Sequence, residues 1–206
     1  VGFGWCGRGI ALRARGLGAR VIVCEVDAVK AADAAMNGYE VMPLLDACGI
    51  ADIIVTATGV RHTLDARHFE RLAAGVMIAN AGHFWTEIDA PALKTMALER
   101  AALRECIDGY RLPGARWVYL LGDANIVNIA CGDGHPAEIM DTSFALQALS
   151  AHHLATREAP LPAGVHAVPA AIDAEVAGRK LEAMGIRIDT LTDAQRADLD
   201  SAGVAE

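Results

Sequence analysis

VGFGWCGRG, residues 1 to 9, places Gly2, Gly4 and Gly7 in a GxGxxG spacing ahead of a helical stretch; the next apolar run, VIVCE at 21 to 25, ends on an acid. In a strand-loop-helix unit each glycine has its own task. The first permits a tight turn, the second lets the backbone approach a pyrophosphate, and the third lets helix pack on strand. The helix N-terminus then faces the phosphates. Glu25 follows Gly7 by eighteen residues (25 minus 7), at the end of the second strand, where a carboxylate can accept both ribose hydroxyls of a dinucleotide and would repel a 2′-phosphate. The pattern predicts a dinucleotide-binding α/β domain that prefers NAD. Only Val1 precedes Gly2, so a buried strand leading into the loop is expected upstream, and the chain reads as a fragment.

The alternation continues outward from this loop. VIVCE, YEVMP at 39 to 43, ADIIVTATG from 51 and VMIANAG from 76 are short β-like runs separated by helical stretches. This is the β-α-β repetition of a doubly wound parallel sheet. The strand ends that should face a ligand crevice are Glu25, Thr58 to Gly59, and Asn80 to His83. Residues 103 to 121 differ, because two strand-like runs flank Pro113 and Gly114 and so predict a hairpin. From Pro136 to Glu158 an amphipathic helix is expected, then a Pro-rich connector, APLPAGVHAVP, then a second helix around residues 172 to 185. The expected organisation is a Rossmann domain over 1–132, helices of a second domain over 133–184, and a tail over 185–206.

Composition narrows the function classes. A net charge of -8 and a pI near 5.3 argue against nucleic acid or an anionic membrane surface as the main partner. Apolar residues make up 53% but aromatics only 5%, so the core should be built from Ala, Val, Ile and Leu. No apolar run approaches the length of a membrane span. The five cysteines are irregularly spaced and form no CxxC pair, and the histidines show no paired ligand spacing, so no metal site is expected and the thiols read as reduced, in a cytoplasm.

Several segments, in collinear order along nearly the whole chain, resemble the S-adenosylhomocysteine hydrolase family: GFGWCGRG, CEVD, AAMNGYEVMP, IVTATG, NAGHF followed by EID, YRLPGARWVYLLG and GDGHPAEIMDTSFALQAL. The pairing of NAGHF with GDGHP is the most specific part. The resemblance implies NAD held by Gly2, Gly4, Gly7, Glu25 and Lys30 at its adenosine and pyrophosphate end. Thr58, Asn80, Ala81, Gly82 and Asn128 would serve the nicotinamide end. His83 would face the substrate ribose, and His135 would sit where the chain returns to the substrate domain.

The activity implied is reversible hydrolysis of S-adenosylhomocysteine to adenosine and homocysteine through transient oxidation of the 3′-hydroxyl, by a cytoplasmic homotetramer. The alternatives are S-inosylhomocysteine as substrate, or a catalytically silent NAD-binding regulator. Three departures from the family pattern stand out. Trp85 replaces an Asp after GHF, GDANIVN lacks an Arg before Asn128, and the chain ends without the Lys- and Tyr-bearing tail of longer members, an ending that resembles the shorter archaeal and thermophilic-bacterial branch. The family's substrate-domain acids and its Lys/Asp pair would precede residue 1, so the chain alone is expected to be inactive and poorly folded.

Overall fold

In the computed structural model, which describes residues 1 to 201, the chain divides into two compact units, Val1–Gly134 and His135–Glu206. The first unit begins with α1 (Trp5–Gly16), β1 (Ile22–Val23), α2 (Ala28–Met36) and β2 (Glu40–Val41), with β1 and β2 parallel. Asp27 starts α2 because its carboxylate accepts the Val29 and Lys30 amides. After α3 (Leu44–Ala47) come β3 (Ile53–Thr56), α4 (Ala66–Phe69), β4 (Met77–Asn80) and α5 (Ala90–Met96). The unit closes with β5 (Glu99–Arg104), β6 (Ile107–Leu112), β7 (Arg116–Leu121) and α6 (Val127–Ala130).

A five-stranded sheet runs β3-β4-β7-β6-β5, parallel across β3, β4 and β7 and antiparallel beyond. The hairpin expected around Pro113 and Gly114 is β6 and β7. β5 is an addition to the expected sheet: ERAALR gives no strand signal of its own, and its conformation comes from pairing with β6, where Arg100 meets Asp108 at 2.9 Å and Arg111 meets Glu99 at 2.8 Å. The sheet is therefore parallel where the Rossmann pattern needs it and antiparallel at one edge.

The β1-β2 pair is joined to the larger sheet through the first two residues. Val1 donates to the Val55 carbonyl (2.7 Å) and accepts from the Ala57 amide (2.9 Å), while the Gly2 amide donates to Cys24 (2.8 Å). Val1 thus sits between β1 and β3 as a strand residue would. A groove of about 490 Å³ continues that line, with Ile22 and Val23 on one wall and Ile53, Ile54 and Val55 on the other.

Two apolar clusters hold the unit together. The larger, around Phe69, Leu64, Ile78, Leu93, Tyr110 and Leu120, lies against β3, β4, β6 and β7. The smaller joins Phe3, Ala11, Val23, Ala34 and Tyr39 beneath the glycine loop. Aliphatic side chains dominate the larger, as the sequence suggests, whereas in the smaller the Phe3 and Tyr39 rings pack edge to face at 5.6 Å among small residues.

α4 carries an electrostatic cap with a consequence for acid stability. Asp65 accepts the Arg67 amide while the His68 side chain accepts the Asp65 amide. The Arg67 guanidinium, against opposing burial and with help from His68, holds the Asp65 carboxyl down to about 2. Because the folded value lies below the unfolded one near 3.9, the stabilisation is present above that pH and is lost as pH falls toward about 2. Asp65→Ala should cost about 1 kcal/mol at neutral pH. In denaturant melts the gap from the parent should close between about pH 4 and 2, and a constant gap would contradict this account.

The second unit contains α7 (Ala137–Thr156), α8 (Ala170–Ala183) and α9 (Asp193–Ser201). α7 packs along α8, and Lys180 donates to the Glu138 carbonyl at 2.9 Å. Among the described residues only Ile172 and Val176 of this unit are buried hydrophobics. Ile139 and Phe144 are exposed, whereas Leu146 and Leu149 are half-buried. The acidic stretch ending the chain includes the exposed helix α9, and residues 202 to 206 of the expected tail lie outside the described residues.

Candidate functional site

The glycine loop is built by two close approaches and one opening. Gly2 has φ +88°, and a Cβ there would lie 2.7 Å from the Ala57 carbonyl oxygen. A Cβ on Gly7 would overlap the Gly2 carbonyl oxygen itself. Gly4 is different, because a Cβ there would meet nothing within 4 Å. It is also the N-cap of α1, with no side-chain cap and no acid in the first turn. The first-turn amides and the positive end of the helix dipole are thus left for an anion, beside a glycine that keeps the approach clear.

Glu25 stands just beyond β1, half-buried, with its carboxylate turned to the loop. It accepts the Phe3 amide at 2.7 Å on one oxygen, and the Val26 and Asp27 amides at 2.7 and 3.1 Å on the other. Burial alone would raise its pKa, but these three amides, with the nearby Lys30, outweigh burial and hold it below the ordinary carboxylate range. Lys30 is exposed in the first turn of α2, 3.8 Å from Asp27. The unit therefore brings Gly2, Gly4, Gly7, Glu25 and Lys30 together at one end of a crevice.

The other end is formed where β3 and β4 stop. The Ala81 amide donates to Thr56 (2.8 Å), and Cys6 in the first turn of α1 reaches the Ala81 carbonyl (Sγ to O 3.5 Å), so this rim adjoins the glycine loop. Asn80 pairs in parallel with Ile126, which places Asn128 of α6 near the same strand end. His83 is exposed, its ring edge-on to Phe84 at a centroid distance of 4.6 Å, and makes no hydrogen bond among the described residues.

Asn80 was expected to touch the cofactor, but its amide is buried and spent on the protein. Its nitrogen donates to Phe84 (3.0 Å) and Ala124 (2.9 Å), and its oxygen accepts from Thr56 (3.1 Å) and Gly82 (2.8 Å). What Asn80 supplies is a fixed position for the two turns that follow β4 and β7. Thr58 is similarly engaged, with its hydroxyl between Thr63 (2.8 Å) and Glu87 (3.0 Å). Glu87, which sequence reasoning passed over, is wholly buried behind this rim. Its only signal in the sequence is the EID following NAGHF.

Trp85 is exposed in the same turn as Glu87. His135 opens the second unit and is exposed. Among the described residues no group of three or more His, Cys, Asp and Glu could hold a metal ion, and no helix is long and apolar enough to cross a membrane.

Residues 1–134 match the family model described as "S-adenosyl-L-homocysteine hydrolase, NAD binding domain". The chain belongs to this family. Its cofactor is NAD, and the loop, the opening at Gly4 and the Glu25 carboxylate fit a dinucleotide. An "Adenosylhomocysteinase" of Thermosynechococcus vestitus is 50% identical over 195 residues, covering 95% of this chain and 46% of the relative. One of Aquifex aeolicus is 48% identical over 201 residues, covering 98% and 48%. An "S-inosyl-L-homocysteine hydrolase" of Methanopyrus kandleri is 50% identical over 197 residues, covering 95% and 46%. The chain spans about half the length of the curated relatives it matches.

Proposed function

We propose that this chain is the NAD-binding part and returning helices of an S-adenosylhomocysteine hydrolase, acting in a cytoplasmic homotetramer. The supporting observations are an anion-ready helix start with Glu25 beside it, and an exposed His83 at the turn after β4 that makes no hydrogen bond among the described residues. Bound NAD supplies reversible hydride transfer at the substrate's 3′-carbon, which acidifies the neighbouring C4′ proton so that homocysteine can leave.

Within that chemistry the first-turn amides of α1 hold the pyrophosphate and Glu25 orients the adenosine ribose of NAD. Asn128 turns toward the nicotinamide carboxamide. His83 holds or moves a proton at the substrate ribose, a role its imidazole ring can fill. His135 serves the return of the chain to the substrate-binding half. The test is to express the chain with a substrate-binding half of the relatives' kind and follow homocysteine thiol release. Thiol release without net NADH accumulation supports the reading. No thiol release from an NAD-loaded, folded protein contradicts it and leaves the silent regulator. Parallel assays with S-inosylhomocysteine decide the base, a choice opened by the name of the Methanopyrus relative.

Cofactor preference follows from Glu25. A 2′-phosphate brought to about 4 Å from it is repelled by roughly 1 kcal/mol in water and 4 kcal/mol at an effective dielectric of about 20. Lys30 offsets part of this. NADP should bind at least about tenfold more weakly than NAD in calorimetry, and Glu25→Gln should narrow the ratio. Equal affinities in the parent protein would remove Glu25 from the ribose.

A further inference from the structure

Glu87 sits in a single turn of 3-10 helix, Trp85–Glu87, and its side chain runs back beneath the rim at the ends of β3 and β4. One carboxylate oxygen accepts the Thr58 amide (2.9 Å) and hydroxyl (3.0 Å), and the other accepts the Gly59 amide (2.7 Å). The same carboxylate fills the space over Gly82, where a Cβ would overlap it. It is fully buried, and among the described residues no Lys, Arg or His pairs with it. A side chain needed only to fill that space would be cheaper as an apolar one, because an unpaired buried charge is costly. Its three donors, all on the turn after β3, are what this position uses.

The direction of the dinucleotide gives those donors their meaning. The first-turn amides of α1 and Glu25 lie together at the β1 end, so a molecule with its adenosine ribose on Glu25 runs its other half across the ends of β3 and β4. Thr58, Gly59 and Gly82 form that end, and the Glu87 side chain touches both of its turns. We propose that Glu87 is a positioning residue that sets the spacing of the Thr58–Gly59 and Gly82 turns, and thereby the fit of the nicotinamide half of NAD. This rests on the NAD reading of the crevice. Glu87 acts through the backbone of these turns and touches no substrate.

Two ligands separate this role from a general contribution to folding: NAD, and ADP-ribose, which lacks nicotinamide. In the full-length enzyme, Glu87→Gln should weaken NAD about tenfold by calorimetry while leaving ADP-ribose within about twofold. Equal weakening of both ligands, or of neither, overturns the proposal. Should Glu87→Gln fail to fold, Gly82→Ala displaces the carboxylate from the other side and is read with the same ligand pair. The unaltered protein gives a third measurement. Before NAD is added, the Thr58 and Gly59 amides should exchange with deuterium slowly, and exchange at unprotected rates would sink the clamp whatever the variants do. Failure of the parent protein to bind NAD would instead strike the reading of the crevice, leaving the exchange result to stand alone.

Discussion

Gly7→Ala should destabilise the first unit by about 3 kcal/mol and abolish measurable NAD binding, an effect at the upper end of what overpacking costs. The methyl group would overlap the Gly2 carbonyl oxygen and lie 2.9 Å from its carbon, and both are backbone atoms. Gly2 cannot retreat. Its amide is bonded to Cys24 at 2.8 Å, its φ is +88°, and the Ala57 carbonyl oxygen and the Thr58 methyl group already stand within 3.0 Å of where its own Cβ would lie. α1 would have to swing off the sheet, carrying away the first-turn amides proposed to hold the pyrophosphate. Against a typical total of about 5 to 15 kcal/mol, this is a large share. Gly4→Ala is the matched control, because a Cβ there meets nothing within 4 Å. It should change the melting temperature little and weaken NAD, since the added methyl group stands in the ligand's approach. Thermal melts and calorimetry on both variants check the pair. A Gly7→Ala protein that melts with its parent would mean the loop can rearrange.

His83→Asn should lower turnover of the full-length enzyme about a hundredfold, the scale of a lost acid-base contribution. The melting temperature should hardly move. The ring is exposed, is bonded to nothing among the described residues, and touches Phe84 only edge to face. Other histidines of the unit show the contrast. His68 is buried in the cap of α4 and His62 lies 3.2 Å from Asp89, so each has a structural occupation. A fall in melting temperature with activity retained would give His83 such an occupation too.

The parts of the site legible in the sequence are those whose residue type is dictated by local backbone. The glycine spacing, the acid ending VIVCE and the Pro-Gly turn at 113 to 114 each state a local requirement that few other residues meet. What could not be read depends on contacts distant in sequence. β5 reads as ERAALR, without alternation, and becomes a strand because β6 offers it a partner. The Asn80 amide looks free to serve a ligand until Phe84, Ala124, Thr56 and Gly82 are seen to saturate it. Nothing around Glu87 announces burial, and its partners at Thr58 and Gly59 lie 29 and 28 residues away. In α7, expected to be amphipathic, Ile139 and Phe144 are exposed while Leu146 and Leu149 are half-buried.

The bonds made by Glu25 also limit what it can report about a sugar. A carboxylate offers about four lone-pair directions. The Phe3, Val26 and Asp27 amides occupy three of them, two on one oxygen and one on the other. One direction is left, on the oxygen that faces Phe3. A vicinal diol arriving at this carboxylate is read through a single hydroxyl, and its second hydroxyl must find another acceptor or displace an amide. Discrimination between 2′-deoxy and 3′-deoxy forms of the cofactor is then lopsided: removing one oxygen costs a charged hydrogen bond, and removing the other costs little.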